Sequence, residues 1–130
     1  MKDHIIRNFE LYFPTVAERA IEVRRDKYRT LFVRTNDGDV YIYDDVERYI
    51  RMLPARDDMT ENNFKREFSI RLRHVMFVKG ITQTELSERT GISQAAISQY
   101  LTGKSMPGFY KLDRIARALD CNIDDLRYTE

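Results

Sequence analysis

Four side chains on one predicted helix have the chemistry needed to recognise the edges of nucleic-acid bases. Gln94, Ser98 and Gln99 can donate or accept hydrogen bonds, and Ala95 offers a small apolar group. In the major groove of DNA, glutamine amides bond to adenine and small apolar groups contact the thymine methyl. The same short, uncharged residues would also suit the solvated face of an ordinary helical hairpin. We call these four residues the reading face, and keep the plain hairpin as its alternative.

The surrounding sequence predicts two helices joined by a tight turn. Thr82, followed three residues later by Glu85, forms a capping-box pattern, which places a helix start at this point. Gly91 suits the left-handed conformation in which many helices end. Ser93 is a good cap for the next helix, and Ile97 anchors that helix to a core. The second helix then carries the reading face on its outer side.

Six residues of this segment carry a family signature: Gln83, Leu86, Ser87, Gly91, Ile92 and Ile97. They resemble the helix-turn-helix of the Cro/C1 repressor family, also called the XRE family. The likeness runs from about residue 64 to about residue 128, and it includes the loop 101–104 and a later helical pattern at 112–119. The resemblance implies an all-α, five-helix, lambda-repressor-like domain that binds a palindromic DNA operator as a homodimer.

A set of DNA contacts follows from the helix geometry and from this resemblance. The start of the first motif helix presents exposed amides and a positive dipole end, which favour a phosphate near Gln83. We expect Gln94 to bond to adenine and Lys104 to hold the DNA backbone without reading sequence. The resemblance adds that Gln83 can brace Gln94. The predicted DNA-binding residues are Gln83, Thr84, Arg89, Ser93, Gln94, Ala95, Ser98, Gln99, Thr102, Gly103 and Lys104.

The chain departs from the family pattern at two positions. Family members often pair an arginine near the end of the helix before the motif with a glutamate near the loop glycine. Met76 and Leu101 stand at these positions here. Because both partners are replaced by apolar residues, no charge is left unpaired, and such a joint exchange is often neutral or stabilising. We expect a hydrophobic contact there and an intact fold.

Composition and charge describe a soluble globular protein with one ordinary domain or two small ones. Of its 130 residues, 42% are hydrophobic and 33% are charged. Residues 62–130 carry a net charge of +3 and residues 1–61 a net charge of −2, so the second part has the modest basic bias that phosphate contacts need. The sequence has no long apolar run and no signal-peptide pattern, which predicts a cytoplasmic protein without membrane contact.

The sequence offers little for metal, redox or catalytic chemistry. Cys121 is the single cysteine, and His4 and His74 lie far apart, so neither a disulfide nor a metal cluster is expected. We expect His74 to lie at the surface or edge of its helix. No nucleophile–base set or phosphate loop is present, which predicts a protein that is not an enzyme and needs no cofactor.

Residues 1–54 are predicted to form a separate, small ααββα module, which makes the whole chain α+β. Helical spacing covers residues 3–13 and then about 15–25, with a strand from Ala20 as the alternative to the second helix. A hairpin turns at residues 36–39. Val46, Tyr49, Ile50 and Leu53 then predict a third helix over 44–53. Residues 55–61 are the predicted linker, and residues 62–130 the helix-turn-helix domain, beginning with a helix over 62–79.

The leading interpretation is a sequence-specific transcriptional regulator, acting as a repressor, with a first module for dimerisation or partner contact. Placing the DNA-binding domain second suggests a mobile-element or prophage origin by resemblance. The main alternative is a protein-interaction adaptor that keeps the helix-turn-helix fold without binding DNA. The aromatic residues of the hairpin would also allow stacking of single-stranded nucleic acid, but their packing into a core is the simpler explanation.

Overall fold

A computed structural model describes residues 3–53 and 60–126 of the chain. The chain divides into two compact units, Met1–Asp58 and Met59–Glu130. Most of the predicted linker, residues 55–59, lies outside the described residues. The last two linker positions are part of a helix, because Thr60 is its cap and Glu61 its first residue.

The first unit contains two helices followed by a four-stranded antiparallel sheet. The strands pair in chain order, so each one is joined to the next by a short turn. The elements are α1 (His4–Tyr12), α2 (Pro14–Arg19), β1 (Ala20–Arg25), β2 (Thr30–Thr35), β3 (Val40–Asp44) and β4 (Tyr49–Met52). The predicted hairpin corresponds to β2 and β3, which turn at residues 36–39.

One face of this sheet packs against the two helices. Leu31 lies opposite Tyr43, and Tyr43 lies opposite Ile50, so the three side chains share that face. Ile5 and Phe9 from α1 reach the same cluster, with the Phe9 and Tyr43 rings 5.6 Å apart. The remaining buried members of the cluster are Val16 and Val33. The aromatic Tyr28 and Tyr43 are buried, so neither is available as a stacking platform for single-stranded nucleic acid.

Two of the predictions for this unit are wrong in detail. The second helix ends at Arg19, and Ala20–Arg25 is a strand, as the alternative interpretation had it. No helix is present at 44–53: residues 45–48 form a turn and Tyr49–Met52 is β4. The module is therefore ααββββ, and its place in an α+β chain is confirmed.

The turn between β3 and β4 contains a buried carboxylate that joins three parts of the unit. Asp45 accepts hydrogen bonds from the Tyr43 hydroxyl at 2.7 Å and from Asn8 of α1 at 3.1 Å, and it pairs with Arg29 at 3.2 Å. Burial alone would raise the pKa of Asp45, but these three partners lower it overall. Burial, together with Asp45, raises the pKa of the Tyr43 hydroxyl.

The second unit has the five helices that the resemblance implied, the last of them a 3₁₀ helix. They are α3 (Glu61–Lys79), α4 (Gln83–Thr90), α5 (Gln94–Leu101), α6 (Phe109–Ala118) and the 3₁₀ helix Ile123–Leu126. α3 packs on α5 and on the 3₁₀ helix, while α4 contacts both α5 and α6. Among the described residues, no helix is long and apolar enough to cross a membrane.

α3 differs from its predicted pattern in which side chains it buries. Phe64 was expected in the core, but 41% of its surface is exposed. His74 was expected at the surface, but it is only 5% exposed, and Glu67 and Arg71 on the same helix are also buried. Arg71 donates from Nε to the carbonyl of Asp125 at 2.6 Å, which ties α3 to the 3₁₀ helix. Polar bonds therefore replace part of the apolar packing on this side of α3.

Candidate nucleic-acid interface

The start of α4 is fixed by the predicted capping box. Thr82 Oγ1 accepts a hydrogen bond from the Glu85 amide at 3.1 Å, and the Thr82 amide donates to Glu85 Oε1 at 3.4 Å. Just before this cap, Gly80 takes a left-handed conformation with φ of 69° to end α3. The first turn of α4 therefore begins at a defined point, with Gln83 at its first position and the exposed Thr84 next to it.

Side-chain hydrogen bonds hold the turn between α4 and α5. Gly91 has φ of 74°, a conformation that costs other residues free energy. The Ser87 hydroxyl donates to the Ile92 carbonyl at 2.6 Å, and the Ile92 amide donates to the buried Thr90 hydroxyl at 3.1 Å. A Cβ atom on Gly91 would lie only 3.2 Å from Arg114 of α6. The absence of a side chain at Gly91 therefore serves both the backbone conformation and the packing of α6.

Gln83 and Gln94 are joined across the two motif helices. Gln83 donates from Nε2 to the backbone carbonyl of Gln94 at 3.0 Å. Ser93 caps α5 by accepting from the Ala96 amide at 3.1 Å. Because the Gln83 bond is to the backbone, it does not use the side chain of Gln94. Within the described part of the chain, no hydrogen bond engages that exposed side-chain amide.

All four residues of the reading face are exposed on α5. The opposite side of the helix is buried through Ile97 and Tyr100. Gln99 has one internal partner, because the Ser105 hydroxyl donates to its Oε1 atom at 3.3 Å. The reading face therefore presents one glutamine with both amide groups open and one whose oxygen is engaged.

The loop after α5 brings Thr102, Gly103 and Lys104 to one end of the reading face. Thr102 donates its hydroxyl proton to carbonyls of α5, at 3.0 Å to Ser98 and 3.3 Å to Gln99. The amide of Lys104 also donates to the Gln99 carbonyl at 3.0 Å. Thr102 thus stabilises the loop and would have to turn its hydroxyl to reach a phosphate, whereas Lys104 exposes its ammonium group.

Arg89 lies apart from the other predicted contacts, near the end of α4. It forms an ion pair with Glu85 one turn earlier, at 3.6 Å. An exposed pair of this kind is weak, so Arg89 can exchange it for a phosphate at little cost. Two further polar residues, Ser105 and Arg66, were not selected from the sequence although they adjoin the reading face and its loop. Only their contacts across the fold, to Gln99 and Gly103, identify them.

Comparison with known proteins matches this geometry. Residues 79–126 match the family model HTH_3, described as helix-turn-helix. These residues form a helix-turn-helix domain. The resemblance to Cro/C1-type regulators is thereby confirmed for this part of the chain.

Curated relatives share the same segment. The HTH-type transcriptional regulators for the conjugative elements R391 of Providencia rettgeri and SXT of Vibrio cholerae are each 46% identical over 54 residues. The match covers 42% of this chain and 25% of each relative, so the chain spans about a quarter of the length of these proteins. The similarity therefore concerns the helix-turn-helix and its immediate surroundings.

Two solved structures resemble parts of the chain at 25% identity. One is the restriction-modification controller protein C.AhdI from Aeromonas hydrophila, with a TM-score of 0.45 over 46% of this chain and 91% of that one. The other is an HTH_3 family transcriptional regulator from Vibrio cholerae, with a TM-score of 0.49 over 52% of this chain and 38% of that one.

Proposed function

We propose that this protein binds double-stranded DNA at a specific sequence and regulates transcription as a repressor. The observation that carries the proposal is an exposed, polar reading face on a helix whose start is braced from the neighbouring helix by Gln83. A helix held in this way loses little side-chain and backbone freedom on entering a groove. The curated relatives, which are transcriptional regulators, support the same conclusion.

Sequence recognition is assigned to α5 in the major groove. Gln94 offers both an N–H donor and a carbonyl acceptor, the pair required by the N7 and N6 atoms of adenine. Ala95 lies beside it to contact a thymine methyl. The oxygen of Gln99 is occupied by Ser105, so this residue turns its amide protons to the bases and suits acceptors, which are O6 and N7 of guanine or O4 of thymine. Ser98 completes the surface.

Phosphate contacts on both sides of the groove set the position of α5. On one side, Gln83 and the free amides at the start of α4 face the backbone, where the helix dipole favours an anion. On the other side, the ammonium group of Lys104 is the principal contact. These interactions are independent of sequence and add affinity for any duplex.

The first unit is proposed to supply dimerisation or partner contact. Five of its large apolar side chains are exposed: Leu11, Tyr12, Ile21, Tyr49 and Met52. A two-fold dimer would place its two reading helices on half-sites about 34 Å apart, which corresponds to a palindromic operator. Sedimentation of the full chain across a concentration series measures this association directly.

Selection of bound duplexes from a random pool tests the DNA-binding proposal. We expect enrichment of a palindromic site, and we expect Lys104→Ala to weaken binding to the selected and to scrambled duplexes by the same factor. The slope of log K against log salt should fall by about 0.9 in that variant, as one phosphate contact is lost. A protein that retains no duplex and no heparin at low salt would instead be an adaptor.

A further inference from the structure

α3 brings one more basic side chain to the loop that carries Lys104. We propose that Arg66 is a DNA-backbone contact that acts beside Lys104 on the same phosphate track. This inference rests on the proposed DNA-binding function. It adds to that function a residue outside the segment 79–126 that matches the helix-turn-helix model.

The proximity of Arg66 to the loop follows from the glycine at 103. A Cβ atom built on Gly103 would lie 3.5 Å from Ser69 Oγ, 3.7 Å from Arg66 Cα and 3.8 Å from the Lys65 carbonyl. The backbone of the loop therefore lies directly against this part of α3. Gly103 also has φ of 78°, so two separate constraints favour glycine at this point.

The turn of α3 that carries Arg66 is rigid on its inner side. Ser69 is buried, and its hydroxyl donates to the Arg66 carbonyl at 2.7 Å. The outer side is open, because the Arg66 side chain is exposed. A long cationic side chain is thus anchored next to the residue that precedes Lys104, with freedom to reach outward.

The charges around Arg66 leave it available to an anion. Its neighbour Lys65 is paired with Glu61 at 3.2 Å. Within residues 60–126, by contrast, no ion pair is found for Arg66 or for Lys104. Two unpaired cations close together repel each other until an anion lies between them, and a guanidinium can bind a phosphate through two hydrogen bonds. The pair therefore suits a diester phosphate of the DNA backbone.

The chain contains a matched control for this residue. Arg73 is also exposed and lies seven residues further along α3, which is two helical turns away on the same side of the helix. It is displaced along the helix from the residues that touch Gly103. Arg66→Gln and Arg73→Gln therefore remove the same charge from the same helix face at two different distances from the loop.

The test measures duplex affinity of the full-length variants between about 50 and 200 mM salt, with the selected site and with a scrambled duplex. We expect Arg66→Gln to lower the salt slope by about 0.9 on both duplexes, and Arg66→Lys to restore it. Combined with Lys104→Gln, the slope should fall by about twice that amount. Arg73→Gln should behave like the parent.

Three results would overturn the assignment. If Arg66→Gln keeps the parental slope while Lys104→Gln lowers it, Arg66 is not a contact, although the DNA-binding proposal stands. If Arg66→Lys fails to restore the slope, the effect of Arg66→Gln is not one of charge. If the parent itself binds no duplex in a salt-dependent way, both proposals are wrong together.

Discussion

Replacing Gln94 by alanine is the most direct test of how α5 recognises DNA. The side chain is exposed, and the brace from Gln83 ends on the backbone carbonyl of Gln94, which alanine retains. Alanine is also a good helix residue, so the first turn of α5 should persist. The substitution therefore removes the proposed base contact and leaves the position of the helix unchanged.

The expected loss follows from the bonds that the side-chain amide would make. No internal hydrogen bond among the described residues has to be broken for Gln94 to reach a base. A bidentate glutamine–adenine contact contributes roughly 1–3 kcal/mol of discrimination, which corresponds to about 5-fold to 150-fold in affinity for the selected site. Affinity for scrambled DNA, which depends on phosphates, should be unchanged.

A base analogue makes the assay specific to one atom pair. Fluorescence anisotropy would measure the parent and Gln94→Ala on duplexes in which each adenine of the selected half-site is replaced in turn by 7-deazaadenine, which lacks the N7 acceptor. At the adenine that Gln94 contacts, the analogue should weaken the parent by about 1 kcal/mol and should have no effect on the variant. The difference between these two effects is the coupling energy of the pair.

The result that would refute this assignment is an absence of coupling at every adenine. If the analogue weakens both proteins equally, another residue reads N7. If Gln94→Ala binds the selected and scrambled duplexes as tightly as the parent, α5 does not read the groove through this residue. Gln83→Ala is a useful comparison, because it should weaken both duplexes by moving α5.

Other perturbations test the rest of the structure. Asp45→Asn should destabilise the first unit by about 2–3 kcal/mol in urea unfolding at pH 7. Because the folded-state pKa of Asp45 is lowered, its stabilising effect is present above its ordinary value of about 4 and is lost as the pH falls through the folded-state value, so the difference between parent and variant should shrink in acid. Asp120→Gly should stabilise the second unit by about 0.5–1 kcal/mol, since Asp120 has φ of 51° at the end of α6; thermal unfolding followed by helical circular dichroism measures this. Ser105→Ala should release the oxygen of Gln99 and reduce its preference for guanine or thymine over cytosine by a few-fold, measured on four duplexes that differ at that base.

The helix-turn-helix could be predicted from sequence because its boundaries depend on neighbouring residues. Thr82 and Glu85 are three residues apart and cap each other. Gly91 ends α4 through its own backbone conformation. Each of these choices is decided within a single helical turn, so a short stretch of sequence contains the whole signal.

The sheet of the first unit depends on partners that are distant in the sequence. The apolar residues at 46, 49, 50 and 53 have helical spacing, yet pairing with β3 determines the structure, and Ile50 lies opposite Tyr43. Arg48 takes φ of 54° to complete the turn before β4, a conformation that arginine rarely adopts and that a helix pattern would not predict. In β1 the alternation of Ile21, Glu22, Val23 and Arg24 was the correct signal, but it covers too few residues to decide between strand and helix.

The same distinction explains why the proposed DNA surface extends beyond the predicted one. Arg71 meets Asp125 across 54 residues of sequence, and Arg66 approaches Gly103 through an equally remote contact. Neither pair has a local pattern, because only the packing of α3 on the rest of the unit brings them together. A functional surface built on such packing contains residues that a motif cannot identify. For this reason Arg66, rather than a residue of the motif itself, provides the sharper test of whether the observed arrangement of α3 is the one that meets DNA.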